Sequence, residues 1–487
     1  MNRPVLIRNG LLDVGDPSGA HLSSLLIMDG KIAAVSDLSK KTKQGKAKPR
    51  QGSTPEEADF SEHLLDTVAN ADVLDADGCI VMPGGIDPHV HFELVANGLH
   101  VADNFRVASL AALYGGNTCV IEHPSFGRPG CDLFDPLQLY SGVESFVDYG
   151  IHLVFQPPAM KGGQNPSDWP QLEKIPAAVT LGYASGKAYT TYGGKLDDAH
   201  LLQLMEAVEK AGCLLTVHCE DDSIIARQHK ILDPFTLSHH PLSRPPQAEA
   251  RAAANVLELA RSVGVPIYIV HVSCAETLQV IREARAHGQI VYAETCPQYL
   301  LLDDSLYAGP DGLDYVLTPP LRKHADNQVL WEALAEGEID VVATDHCYFS
   351  RVQKQVGRES VFQCPSGIPG VETRLPLLFG HGVLAGRISL ERFIQVCAQK
   401  PAEIFGLKHK GALVPGRDAD ILVIDPKQES GLSIKNLHQP LDYSPFETIC
   451  PTARGWPRHM LLRGEILIRD SHLNNINPQG EYARRQR

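Results

Sequence analysis

Two kinds of hydrophobic pattern alternate along the chain. The first 38 residues give short mixed runs cut by turns: "PVLIRNG", "SSLLIMDG" and "KIAAVSD". Near the other end, "LVPGRDADILVIDP" (413–426) and "HMLLRGEILIRD" (459–470) have the same texture. Short β-rich runs bounded by Gly, Asp and Asn predict strands. The long middle reads differently. Apolar runs there are separated by "LLQLMEAVEKAG" (201–212), "AEARAAANVLELARSVG" (248–264) and "AETLQVIREARAHG" (275–288), whose apolar residues recur every three to four positions. That period predicts amphipathic helices, and strand-then-helix alternation predicts parallel βα units. The chain therefore divides into an α/β barrel over 81–410 and a small β domain drawn from both ends, 1–80 and 411–472. The last stretch, 473–487, reads as a polar tail.

Residues 39–72 interrupt the N-terminal β region with a segment nearly free of apolar residues, too polar to pack. Its six basic residues between Lys40 and Arg50 admit an anion-binding or targeting patch, but a solvated loop is the simpler reading. Composition narrows the class. Hydrophobic content of 43% and charged content of 21% suit a globular protein with a sizeable core. A formal charge of −14 argues against a general nucleic-acid or anionic-membrane binder. No apolar stretch reaches the ~18–20 residues of a membrane helix. The start lacks a secretory pattern, and eleven scattered cysteines without a C-x-x-C pair predict reduced thiols in a cytoplasmic protein.

Candidate chemistry begins at "IDPHVHFE", which sets His89 and His91 one residue apart after an apolar run. Alternate residues of an extended segment face one side, so both imidazoles point the same way, and converging imidazoles suit a divalent cation. A polar turn with solvated histidines is the competing reading. Three later apolar runs also end on a possible ligand: "CLLTVH" on His218, "IYIVH" on His271 and "DVVATD" on Asp345. Parallel barrels build their sites at the C-terminal ends of the strands, at roughly 30 residues per βα unit. About one unit before His218 lies Lys187, in "GYASGKAYTTY", and about three units before that lies His89. These positions fall on the first, fourth, fifth, sixth and eighth strands.

The order His-x-His, Lys, His, His, Asp resembles that of the binuclear amidohydrolase superfamily. The flanking motifs "PGGIDPHVHF", "TVHCED", "SRPPQAEA", "IYIVHVS", "TPPLR", "ATDHCYF", "GVETRLPLL" and "KGALVPGRDADILVIDP" are similar to its dihydropyrimidinase/hydantoinase branch, over nearly the whole chain. The resemblance implies a TIM-type (β/α)8 barrel with a β-sandwich built from both termini, assembled as a homotetramer. It implies that His89 and His91 hold the more buried metal, and His218 and His271 the more exposed one. Lys187 matches a lysine carboxylated by carbon dioxide (N6-carboxylysine), whose carbamate bridges the two ions. Asp345 would ligate the first metal and handle the proton. Tyr192 would contact the scissile carbonyl oxygen, and Thr318 and Ser366 would help hold the ring. By themselves, Lys187 reads as a surface residue and Tyr192 as a core aromatic. The implied cofactors are two Zn2+ per subunit, although such a site takes other divalent ions. The implied reaction opens a small neutral cyclic ureide, a dihydropyrimidine or 5-substituted hydantoin, to an N-carbamoyl amino acid.

The chain departs from the family pattern at several positions. Ser366 stands where asparagine is usual, Thr318 where serine is usual, and Gly186 where a bulky aromatic is common. These changes bear on the ring substituent rather than on the hydrolysis. His123, closing "VIEHPS", has no counterpart in the pattern and is either a pocket residue or a loop histidine. Glu93 stands where dihydroorotases carry an arginine for the substrate carboxylate. It would either repel that carboxylate or be structural, tied to a loop donor, and in both cases the missing guanidinium favours neutral rings over dihydroorotate. The alternatives are an allantoinase or another cyclic amidohydrolase, and a non-catalytic dihydropyrimidinase-related scaffold. A scaffold should have lost ligands, and here all six positions are filled.

Overall fold

Eight parallel strands form the centre of the molecule in this computed structural model. In order they are Gly85–Val90, Asn117–Glu122, Asp148–Ile151 continued by Leu153–Val154, Ser185–Tyr189, Leu214–His218, Ile267–Ile269, Val291–Thr295 and Val341–Val342. A bridge between Val90 and His346 closes them into a barrel. The structure describes residues 3–12, 20–37, 65–96, 98–124, 140, 142–157, 169–475 and 477–487. Residues 40–50, the basic run, and most of the expected insertion at 39–72 lie outside the described residues. The end of that stretch forms the helix Leu65–Ala69 and the first residue of the strand Asp72–Asp75.

The middle helices form where the apolar period predicts them. Asp198–Ala211 starts on Asp197, whose carboxylate accepts from the His200 N–H, and stops at Gly212 with φ 67°. Pro246–Val263 stops at Gly264 with φ 83°. Both glycines take the left-handed conformation that terminates a helix and that a side chain disfavours. In the barrel strands the period is two. Leu215 and Val217 pack outward with the helices. Leu214 faces inward with Ile121, Tyr268, Val341 and Ala343, which share a cluster with Phe405. That apolar plug is the floor beneath His123 and Asp345, the next inward positions of their strands, and beneath His218, which stands one inward position beyond Thr216.

The β-sandwich joins both ends of the chain in a nine-stranded sheet. Its seam is the antiparallel pairing of Ile80–Pro83 with Ile421–Ile424. Alternation again sorts the side chains. Val81, Ile421, Val423 and Leu461 pack with Val5, Ile7, Leu25 and Ile27. Met82, Leu422, Ile424 and Met460 turn the other way, into the core shared with the barrel. Each strand buries both faces, so the two parts are held together by apolar area. Among the described residues no helix is long and apolar enough to cross a membrane. The ten described cysteines are free and buried.

The chain end differs from the expected polar tail. Tyr149 donates its N–H to Glu481 O at 3.0 Å and accepts at its carbonyl from Ala483 N at 2.8 Å, and Gln486 N reaches Gly406 O at 2.9 Å. Arg485 is fully buried. Its guanidinium donates to Ile151 O and to the Ser185 hydroxyl, at the point where the third barrel strand breaks at His152. His152 Nε2 donates to Pro88 O, so its Nδ1 accepts from Ser185. The charge count misleads here because the broken strand offers oxygens that only a long donor can reach. Arg485→Ala is expected to lower stability by about 3 kcal/mol, the cost of leaving buried acceptors without a charged donor. A urea midpoint equal to that of wild type would show that the docked tail adds nothing.

Candidate active site and metal centre

The six residues expected as ligands meet at the C-terminal mouth of the barrel. His89 and His91, separated by one residue of extended backbone, aim their Nε2 atoms at Asp345 Oδ1, each at 3.1 Å. Lys187 Nζ lies 3.5 Å from His89 Nε2. His218 Nδ1 and His271 Nε2 face each other at 2.9 Å. His271 and Asp345 have φ of 38° and 53°, an uncommon conformation for residues with side chains, and each follows the last residues of a barrel strand. All except Asp345 are buried.

Two buried carboxylates stand behind these histidines and were not singled out in the sequence. Glu294 Oε1 accepts from His89 Nδ1 at 2.7 Å, while its other oxygen accepts from the Tyr268 hydroxyl at 2.7 Å. The His271 N–H also donates to it, at 3.0 Å. Glu220 Oε2 accepts from His218 Nε2 at 2.8 Å. Each carboxylate takes the proton-bearing nitrogen, which leaves the other nitrogen bare toward the centre. That is how an outer carboxylate orients a metal-binding imidazole. Glu294 ends an apolar run, "VYAET", and the strand-end rule that found His218 also reaches it.

Burial and neighbouring charges set the protonation. Burial pulls His218 and His91 below their usual value and His271 well below it. Burial and the Lys187 ammonium pull His89 down, but Glu294 and Asp345 outweigh them and leave it raised. Burial would raise Asp345, yet His89, His91 and His271 hold its carboxyl well below the usual range. Burial brings Lys187 from 10.5 to about 8.

This donor set fits divalent cations. His218 has committed its Nε2 proton to Glu220, so the Nδ1 of its neutral ring is a bare lone pair facing His271 Nε2 at 2.9 Å. A shared cation satisfies both nitrogens. His123 adds to the set. It is buried against His89 and stacked on His152 at 4.1 Å, and among the described residues neither of its nitrogens has a partner. Its ligand atoms and those of His89 and His91 lie within 4.8 Å of one another.

A cavity of about 410 Å³ opens over the centre. Tyr192, Thr318 and Ser366 line its wall, as do the apolar Leu94 and Phe362. The Tyr192 hydroxyl donates to Thr318 Oγ1 at 2.6 Å, and the Tyr192 backbone has φ 69°. Arg244, not foreseen, also lines the cavity, with its guanidinium 5.1 Å from the centre of the Tyr192 ring. Glu220 neutralises it through a buried ion pair.

The structure corrects one expectation about specificity and decides another between its two readings. Gly186 does not touch the cavity. It points outward between the inward Lys187 and Ser185, and a Cβ there would meet Phe155 at 2.3 Å. Phe155 fills the volume of the missing aromatic, so the change is one of packing. Glu93 does not face a substrate either. Its Oε1 accepts from Phe105 N at 3.3 Å, at the start of a helix, so it neither repels nor attracts a ring in the cavity.

The sequence profile of the amidohydrolase family matches residues 80–467. The chain is 41% identical over 422 residues to a D-phenylhydantoinase of Escherichia coli O1:K1 / APEC, covering 85% of this chain and 89% of that relative. Among solved structures it is similar to the D-hydantoinase from a Bacillus sp. AR9, with TM-score 0.86 and 31% identity over 99% of both chains. It is also similar to the dihydropyrimidinase from Brevibacillus agri NCHU1002, with TM-score 0.85 and 31% identity over 99% of both chains.

Glu294→Gln removes the carboxylate that holds the His89 tautomer. It is expected to weaken metal affinity about 10–100-fold, read by competition with a chelator. Unchanged affinity would mean that Glu294 serves the fold alone.

Proposed function

Since the chain belongs to the amidohydrolase family, in its hydantoinase branch, and is a hydrolase of cyclic amides, we propose that it opens 5-substituted hydantoins or dihydropyrimidines to N-carbamoyl amino acids. The observation that carries this reading is the convergence of four imidazoles, Asp345 and Lys187 under a cavity of about 410 Å³, room for a single small ring and its substituent. His89, His91 and Asp345 would hold one zinc ion, and His218 and His271 a second. Lys187 would bridge the two as a carbamate. Its lowered amine value supports this, because carbon dioxide adds only to a neutral amine and burial brings Lys187 to about 8. Zinc bound there supplies acidified water as nucleophile and polarises the ring carbonyl.

The chain's own groups do the rest. The Asp345 carboxylate takes the proton of the attacking water and returns it to the ring nitrogen as the amide C–N bond breaks. The water oxygen stays on the carbonyl carbon, so water is added across that bond. The Tyr192 hydroxyl, now on Thr318 at 2.6 Å, turns to the carbonyl oxygen and stabilises the charge that grows there. Thr318 and Ser366 hold the polar edges of the ring, and Leu94 and Phe362 offer the substituent an apolar surface. By the same resemblance we take the assembly to be a homotetramer. Free buried cysteines support a reducing, cytoplasmic compartment.

Substrate charge separates the branches. Arg244, a cation on the cavity wall, is already paired with Glu220, and the charge of −14 does not steer anions in. A 5-alkyl- or 5-aryl-hydantoin or dihydrouracil is expected to show a higher kcat/KM than dihydroorotate on one metal-replete preparation, with allantoin, also neutral, measured beside them as the closer rival. Dihydroorotate as the best of the four would overturn the reading.

Lys187→Ala is expected to abolish turnover, with partial recovery on adding short-chain carboxylic acids. In wild type, uptake of labelled bicarbonate as carbamate should rise as pH is raised through about 8, where the amine loses its proton. A metal-replete crystal structure with a bare amine at Lys187 would refute the bridge.

A further inference from the structure

The cavity wall that carries Thr318 and Ser366 is made of two irregular stretches, neither of them part of a strand. A single backbone bond joins them directly, Gly367 N to Val316 O at 3.0 Å. Behind this wall the Lys354 side chain is fully buried. Its Nζ donates to Val316 O at 2.8 Å and to Pro365 O at 3.3 Å. No carboxylate pairs with it among the described residues; Asp314, which acts on it more weakly than the Cys364 and Cys347 thiols, is itself bonded to Arg351. Burial pulls the Lys354 amine below its usual value. A buried ammonium without a carboxylate is costly, and a methionine of similar length would avoid that cost.

What the ammonium does there follows from its two partners. Val316 is two residues before Thr318, and Pro365 is the residue before Ser366. Two carbonyl oxygens turned toward one point repel each other, and a cation between them turns repulsion into attraction. The far side of the wall has no slack, since a Cβ on Gly367 would meet Cys347 O at 2.4 Å. Cys347 is two residues beyond Asp345. We infer that Lys354 is a positioning residue for ring recognition, which ties the backbone at Val316 to that at Pro365 and so sets the gap between Thr318 and Ser366. This rests on the proposed function, in which those two residues hold the ring.

Lys354→Met keeps the volume and removes the donors. On metal-replete protein it is expected to raise KM for a 5-substituted hydantoin about tenfold or more, while kcat changes less than about threefold. The dissociation constant of a non-hydrolysed ring analogue, by calorimetry, should rise by the same factor, with metal content unchanged. A merely structural lysine would lower the melting temperature or the active fraction and leave KM alone, so unchanged KM and analogue affinity would overturn the assignment. Should Lys354→Met fail to fold, Lys354→Gln keeps one shorter donor and is expected to show a smaller rise in KM; no rise there would equally overturn it. A wild type that binds the analogue while the variant binds it equally well refutes Lys354 alone. A wild type that neither binds nor opens any ring refutes the function, and this assignment with it.

Discussion

The site depends on a seam that has little backbone bonding of its own. His89 lies in the first barrel strand, His91 just past its end and Asp345 past the end of the eighth, yet among the described residues these segments share one bridge, Val90 with His346, made through His91 N to His346 O at 2.9 Å. Side chains supply the rest. The buried Asp87 carboxylate accepts from Thr344 Oγ1 at 2.6 Å, from Thr344 N and from His89 N. The fully buried Arg374 donates to Ile86 O at 3.0 Å, to Val342 O at 2.7 Å and to Asn117. One anion and one cation thus lock the first strand to the eighth directly beneath the ligands. Without them the His-x-His pair and the aspartate would have no fixed distance, and donors must be held to fractions of an ångström to act together.

The second requirement is electrical. Four imidazoles, an amine and a carboxylate are packed where water is largely excluded, so each must carry a defined proton. Glu294 and Glu220 settle this for His89 and His218 by taking one ring proton each. Glu220 does a second job by neutralising Arg244 on the cavity wall. The same carboxylate thereby sets a ligand's tautomer and removes a free cation from the space where a ring would sit. Chemistry and selectivity are coupled through one side chain.

The remaining wall is irregular backbone, and it is fixed in the same way. His346 Nδ1 accepts from Gly370 N and Val371 N while its Nε2 meets Asp103 at 2.8 Å, which anchors the loop after Asp345 to the segment carrying Ser366. Where the fold lacks ladder hydrogen bonds, buried polar side chains replace them: Arg374 at the closing seam, Arg485 at the broken third strand, Lys354 behind the cavity wall. Long cationic side chains suit this role, because several donors at the end of a flexible stem reach carbonyls that point in different directions.

The strands, the helices and the set of ligand candidates were legible in the sequence. Those features are local. An apolar run, its period and the residue that ends it are read within a few positions, and strand alternation then says that His89 and His91 face one way, as do Leu214 and His218. The partner of each group came from the folded arrangement alone. Glu294 lies 205 residues from His89, and Arg485 lies 300 residues from Ser185. The outward turn of Gly186 likewise reversed a reading that position alone had suggested, and the bond from Phe105 N decided between the two readings of Glu93. The basis is that residue type and period fix which face a side chain occupies, whereas closing a barrel fixes which distant face it meets. The cost of a buried donor or acceptor without a partner then selects the pairs that form.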